Sequence, residues 1–175
     1  GKYLHPLFTL KAKIPTLYEK EIQKYNDHPK RKSLPYKKIP KLNCLRGDVL
    51  HCSPIHPSLV YSAMREIFPE INIQKKFYKI PLARLKGINL ALFDMNKPEY
   101  EFGPENDPES CFQLIENDSY SEIKIVPKEA FNFYKEWKYR GERSAPPWGK
   151  IPHVFVQGPI QISNLEIIDW RDAVT

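Results

Sequence analysis

The sequence predicts a mostly β protein with helices, in which five strands and one helix follow the order β-β-β-α-β-β after a basic, partly helical N-terminal extension. Three stretches predict the strands. Apolar and polar residues alternate over residues 80–93, and two apolar runs flank a polar turn in residues 112–125. Over residues 153–162, every even-numbered position is apolar or glycine. Such alternation is typical of strands with one buried face. We therefore divide the chain into an extension, residues 1–79, and a β domain, residues 80–175.

The extension contains two predicted short helices, one on each side of a basic segment. Pro15 and the helical spacing of residues 15–27 predict the first helix. An amphipathic stripe predicts the second, which begins near Ser58 and ends before Pro69. Between them, residues 28–41 (the basic arm) contain six Lys and Arg and three Pro. Proline blocks helix continuation and like charges repel, so we predict a loop or an extended arm.

The first predicted strand, residues 80–93, bends at a glycine. Ala83 and Leu85 are at odd-numbered positions, whereas the apolar set after Gly87 is at even-numbered positions, 88, 90 and 92. A one-residue slip at a glycine is typical of a β-bulge, which bends a strand sharply. Two separate strands or a helix remain alternatives for this stretch.

A hairpin and a helix follow this strand. The sequence FQLIENDSYSEIKI, residues 112–125, predicts two strands joined by a turn at residues 117–119. Helical spacing of Phe131, Tyr134 and Trp137 predicts the helix, which starts near Pro127 and ends near Gly141. We favour a core position for this aromatic stripe over a recognition surface, and likewise for Phe112 in the hairpin.

Two further strands complete the predicted domain. The fourth covers residues 153–162, where Pro159 requires an edge position or a bulge, and the fifth runs from Asn164 to Trp170. Five strands with a helix between the third and fourth is the order of the OB-fold, a small Greek-key barrel. The hairpin then supplies strands two and three of a five-stranded OB barrel.

Composition predicts a protein with a single core and no membrane segment. Apolar residues make up 41% of the chain, but none of its apolar runs is long enough to span a bilayer, so we expect no membrane partner. The odd number of cysteines argues against a disulfide framework and favours a reducing compartment. Residues 1–81 carry 16 Lys and Arg against 6 Asp and Glu, whereas residues 82–175 carry 11 against 15. This asymmetry suggests a function confined to the basic half, and a solvated arm is the alternative.

The charge pattern predicts nucleic-acid contacts in the basic arm and on the first three strands. OB barrels usually bind their ligands over strands two and three and the flanking loops, where aromatic side chains stack on bases and Lys or Arg meets phosphates. The acidic loop, residues 94–110, repels phosphates, so the barrel is better suited to a protein partner and the arm to nucleic acid. The predicted contacts are Lys30, Arg31, Lys32, Lys37, Lys38, Arg84, Lys86, Tyr120 and Lys124.

The sequence predicts neither a metal site nor an enzyme. Cys44, His51, Cys52 and His56 are zinc-ligand types, but adjacent His and Cys without a C-x2-C knuckle are atypical spacing. A Gly-rich phosphate loop, a nucleophile elbow and an H-E-x-x-H motif are all absent from the sequence. We therefore expect a non-enzymatic protein without a cofactor.

Three motifs carry a resemblance to a known family. They are Leu85-Lys86-Gly87-Ile88 in the bent strand, Glu116-Asn117-Asp118-Ser119 in the turn, and the V-x-V-x-G-x-I pattern of residues 154–160. Together they resemble the N-terminal OB domain of the Stn subunit of the telomere-capping CST complex, which is similar to the middle subunit of replication protein A.

This resemblance implies a non-catalytic subunit in the nucleus, at chromosome ends. It would pair with a smaller OB-fold protein, the Ten subunit, and contact single-stranded telomeric DNA. We expect Phe155 and Trp170 to contact that partner. The alternative is a protein-interaction or scaffold module of an RNA–protein assembly, such as a ribosomal or RNA-processing particle, with the arm threaded into RNA.

Overall fold

A computed structural model of the chain describes residues 2–116 and 120–172, which contain both helices and strands. Helix accounts for 35% of residues and strand for 17%, so the mixed character of the predicted fold is confirmed but the larger share is helical. The helices are α1 (Leu7–Lys13), α2 (Pro15–Gln23), α3 (Pro29–Lys32), α4 (Pro57–Ile67) and α5 (Lys128–Tyr139). The strands are β1 (Tyr3–Leu4), β2 (Lys38–Ile39), β3 (Cys44–Leu45), β4 (Leu50–Cys52), β5 (Lys76–Tyr78), β6 (Leu90–Phe93), β7 (Phe112–Ile115), β8 (His153–Val156), β9 (Ile160–Gln161) and β10 (Ile167–Asp169).

The chain forms two compact units, each assembled from three separate segments. The first unit is Gly1–Cys52, Pro81–Tyr120 and Val154–Ser163, and the second is Ser53–Ile80, Ser121–His153 and Asn164–Thr175. The first carries 15 Lys and Arg against 12 Asp and Glu, and the second carries 12 against 9, so each has a net charge of +3. Each unit therefore contains segments from both the basic half and the acidic half of the sequence. The domain boundary at residues 79/80 stays a prediction.

The first unit is built on a four-stranded sheet with the order β4-β8-β6-β7. Three of the four residues in each of β6 and β8 are buried, so these two strands are covered on both faces rather than on the one face that alternation predicts. Phe93 and Phe112 are cross-strand partners on β6 and β7, and both rings pack against Phe155 of β8. All three are at most 5% exposed, which confirms the core position predicted for Phe112. Two short ribbons, β1–β9 and β2–β3, belong to the same unit.

The second unit packs α4 against α5 and carries the β5–β10 ribbon. Pro57 occupies the first position of α4, where the missing N–H of proline costs nothing. Pro15 occupies the same position in α2, which belongs to the first unit. Both helices predicted in the extension are therefore confirmed. α5 also lies where predicted, and Gly141 after its end has a φ of +82°. Tyr134 is fully buried, which confirms the core prediction for the aromatic stripe.

The predicted bulged strand over residues 80–93 is wrong in its first half. Leu82–Leu85 form a 3₁₀ turn, and the strand is confined to Leu90–Phe93. Gly87 has a φ of +77° and is the third residue of the turn that the Ile88 N–H closes by donating to the Leu85 carbonyl. Pro81 precedes the turn and Gly87 ends it, so the parity slip marks a chain reversal rather than a bulge.

The predicted hairpin is also paired differently. β7 pairs antiparallel with β6 rather than with residues 120–125, which contain no strand, and the predicted turn at residues 117–119 lies outside the described residues. The fourth predicted strand divides into β8 and β9, because Gly158 has a φ of +135° and Pro159 has no N–H for the ladder.

The last predicted strand is shorter than expected and belongs to another sheet. Only Ile167–Asp169 form a strand, which pairs with the unpredicted Lys76–Tyr78. Among the described residues the sheets have two or four strands and none closes into a barrel, so the five-stranded OB arrangement is not confirmed.

Candidate nucleic-acid interface

The basic arm is folded rather than extended. Its first part forms α3, and its second part contributes β2 to a ribbon with β3, in which Lys38 is opposite Leu45 and Ile39 is opposite Cys44. The ribbon turns through Asn43, whose φ of +48° is one that asparagine tolerates better than most residues. The chain therefore doubles back on itself where the proline and charge content predicted an open segment.

This ribbon buries one of the predicted nucleic-acid contacts. Tyr36 and Lys38 are exposed, whereas Lys37 and Ile39 are buried, as the two-residue period of a strand requires. The N–H of Arg46 donates to the carbonyl of Lys37 over 2.9 Å, so the two cations are neighbours across the ribbon.

Asp107 of the acidic loop is the carboxylate partner that both cations share. Its two carboxylate oxygens lie 2.9 Å from Lys37 Nζ and 2.6 Å from Arg46 Nη2, and the three side chains are at most 9% exposed. The Arg46 guanidinium also lies 4.4 Å from the centre of the Phe93 ring, a cation–π distance. We call these three charged residues the buried charge cluster. Lys37 is buried inside the first unit and paired with Asp107, so its assignment as a nucleic-acid contact is corrected.

The acidic loop contacts the arm at three further points. Lys30 Nζ donates to the carbonyl of Phe102 over 3.4 Å, and the N–H of Lys38 donates to Asn106 Oδ1 over 3.0 Å. Lys41 forms an ion pair with Glu109 at 2.5 Å. The loop that was expected to repel phosphates thus fixes the arm in place.

Three of the arm lysines that were predicted as contacts nevertheless keep exposed side chains. Lys30 and Lys32 are exposed on α3, and the Lys38 side chain is exposed on β2 because it points away from the buried face. Arg31 is partly buried, since its guanidinium bonds to Asp27 and lies 5.8 Å from the centre of the Tyr25 ring.

The predicted contacts outside the arm are divided between the units. Arg84 and Lys86 are exposed in the first unit, where Arg84 Nη1 donates to Gln161 Oε1 over 3.3 Å. Tyr120 is half-buried and also belongs to the first unit, whereas Lys124 is exposed in the second.

Neither predicted partner contact lies at the surface. Phe155 is fully buried in the core of the first unit and Trp170 in the core of the second. Trp170 also donates from Nε1 to the carbonyl of Ile73 over 2.7 Å, which satisfies its polar group inside the protein. Both assignments are corrected because these rings are core residues.

The cysteine and histidine residues near position 50 serve separate local roles. Burial raises the pKa of the Cys52 thiol to about 11; burial and then the nearby Asp48 carboxylate raise that of Cys44 to about 11 as well. Both thiols are therefore largely protonated at neutral pH. His56 instead accepts the N–H of Ser58 at the start of α4. Within residues 2–116 and 120–172, no three potential metal ligands of the His, Cys, Asp and Glu types are grouped together.

Comparison with known proteins adds no relative. No protein-family model, curated protein or solved structure matches the chain. In the part of the chain that the structure describes, no helix has both the length and the apolar character needed to cross a membrane.

Proposed function

We propose that this chain is a non-enzymatic subunit that binds single-stranded nucleic acid through exposed cations of its first unit. The observation that carries the proposal is the folded arm. Lys30, Lys32 and Lys38 are exposed on a segment that the buried charge cluster ties to the acidic loop. Cations held in place lose less entropy when they meet phosphates than cations on an open arm would. Arg84 and Lys86 extend the cationic surface of the same unit.

The salt dependence of binding tests this proposal. Each phosphate contact to a single strand contributes about −0.7 to the slope of log Kobs against log salt concentration. The triple variant Lys30→Ala/Lys32→Ala/Lys38→Ala should therefore bind a labelled single strand more weakly, with a slope smaller in magnitude by about 2. A matched control, Lys128→Ala/Lys135→Ala/Arg143→Ala, removes the same charge from exposed positions of the second unit and should keep the wild-type slope.

Point variants suit this test better than truncation. Removing the first 79 residues would delete parts of both units, so lost binding could reflect lost folding. Equal slopes for the two triple variants would refute arm contact. A full chain that binds no single strand at low salt but binds a protein partner would favour the scaffold function, for which the arm's contacts with the acidic loop are the supporting observation.

A narrower form of the proposal rests on the sequence motifs alone. It places the chain in a telomere-capping complex in the nucleus, as an OB-fold subunit like Stn that pairs with a smaller OB-fold protein. Its supports are the motif at Leu85–Ile88, the polar turn at residues 116–119 and the pattern at residues 154–160. Co-purification of a small OB-fold protein with the full chain, together with a preference for G-rich over other single strands, tests this form.

A further inference from the structure

The β1–β9 ribbon of the first unit carries an exposed aromatic ring beside cations. Tyr3 is opposite Gln161, and Leu4 is opposite Ile160. Side chains alternate across a ribbon, so Leu4 and the fully buried Ile160 face inward, while Tyr3 and Gln161 face outward. Tyr3 is consequently 48% exposed.

Two neighbours define the ring's surroundings. The Tyr3 ring stacks on the partly buried His5 imidazole, with centroids 6.1 Å apart and planes inclined by 28°. Gln161, which lies opposite Tyr3, accepts a hydrogen bond from the Arg84 guanidinium over 3.3 Å. One face of the ribbon thus combines a supported aromatic ring and a positioned guanidinium.

The segments that build the ribbon and the neighbouring turn contain no carboxylates like those that offset the arm. These three segments, residues 2–10, 81–93 and 154–163, contain no Asp or Glu at all. They contribute Lys2, Arg84 and Lys86, each of which is exposed. The carbonyl of Lys2 accepts the N–H of Ile162 over 2.9 Å, which fixes the backbone of Lys2 at the end of the ribbon.

We propose that Tyr3 is a base-stacking site for an unpaired nucleotide, with Arg84 and Lys86 contacting the adjoining phosphates. The inference rests on the proposed binding of single strands and specifies where an unpaired base is recognised. Every base has a π-face, so one exposed ring beside cations suffices for sequence-tolerant stacking. A duplex offers no such face, because its bases are already stacked on one another. The site therefore distinguishes single strands from duplexes.

Substitution of Tyr3 in the full chain tests the inference. Tyr3→Ala should weaken binding of a single strand about 5- to 150-fold, the range expected for loss of one base–aromatic stack, without changing the salt slope. Tyr3→Phe should bind like the wild type, and duplex binding should be the same for all three proteins. Tyr139→Ala removes a 95% exposed tyrosine from the second unit and serves as the matched control. Quenching of a 2-aminopurine base in the strand should be lost in Tyr3→Ala only.

The outcomes separate this inference from the proposed function. A wild-type chain that binds single strands, with Tyr3→Ala and Tyr139→Ala binding equally well, overturns the stacking site alone. A parallel loss of duplex binding in Tyr3→Ala also overturns it, because stacking requires an unpaired base. A wild-type chain that binds neither form overturns both proposals. Circular dichroism of each variant confirms that the fold is retained.

Discussion

The buried charge cluster leads to an asymmetric prediction about stability. Asp107 is the carboxylate that both Lys37 and Arg46 bond, at 2.9 and 2.6 Å. Asp107→Asn keeps the shape of the side chain but leaves two buried cations without their partner, so we expect a loss of about 3–5 kcal/mol of unfolding free energy. Lys37→Met keeps the methylene stem and leaves Asp107 paired with Arg46 alone. That variant should lie within about 1 kcal/mol of the wild type, because no uncompensated charge results.

The assay has to report on the first unit specifically. All three tryptophans belong to the second unit, whereas all three cysteines belong to the first. Alkylation of Cys111, which is 2% exposed, therefore follows opening of the first unit as denaturant is added. Glu109→Gln removes only the exposed ion pair with Lys41 and should cost about 0–1 kcal/mol. Equal losses for Asp107→Asn and Lys37→Met, or a loss for Asp107→Asn no larger than for Glu109→Gln, would refute the reasoning.

Three further predictions concern local features of the two units. His56→Ala removes the cap of α4 and should cost about 1 kcal/mol in urea unfolding followed by tryptophan fluorescence; an unchanged midpoint would contradict the cap. Gly149→Ala would place a Cβ 2.0 Å from the Phe133 ring and should cost about 1–3 kcal/mol by the same assay. Gly103→Ala, with open space around it in the first unit, should leave the unfolding midpoint followed by Cys111 alkylation unchanged. Alkylation of Cys44 and Cys52 should be about a hundred-fold slower at pH 8 than for a free cysteine, since burial raises both pKa values to about 11 and so lowers the thiolate fraction. Their rates should keep rising until about pH 11, and a plateau near pH 9 would disprove these shifts.

The most predictable elements of this fold were the helices α2, α4 and α5, whereas α1 and α3 were not predicted. Pro15, Pro57 and Pro127 each mark a helix start, and the apolar stripe of α4 spans the whole element. These signals are local, because a helix closes its hydrogen bonds within a few residues of the same segment. They therefore survive in the sequence regardless of what the helix packs against.

The strands were less predictable because their partners lie far apart in the chain. β6 pairs with β7 some twenty residues later, and β4 pairs with β8 a hundred residues away. Alternation identifies a strand but not its neighbour, so the order of elements alone led to a barrel. The alternation of residues 153–162 predicted one continuous strand, but Gly158 and Pro159 interrupt it between β8 and β9.

The candidate site shows the same division between local and distant information. The exposure of Lys30, Lys32 and Lys38 follows from their charge, whereas the burial of Lys37 depends on Asp107, which lies 70 residues away. One local signal did exist, since Lys37 has the parity of Ile39 in a strand-like stretch. Tyr3 was missed because its exposure results from pairing with Gln161 at the other end of the chain.

Photo-crosslinking of a single strand to the full chain tests the central claim most directly, because it identifies the contacting segments. A strand carrying photoreactive bases would be irradiated in the complex, and the crosslinked peptides identified by mass spectrometry. We predict crosslinks to three segments of the first unit: the one around Tyr3, the basic arm with Lys32 and Lys38, and the one around Lys86. Crosslinks confined to peptides of the second unit, or none with a strand that binds, would contradict the account.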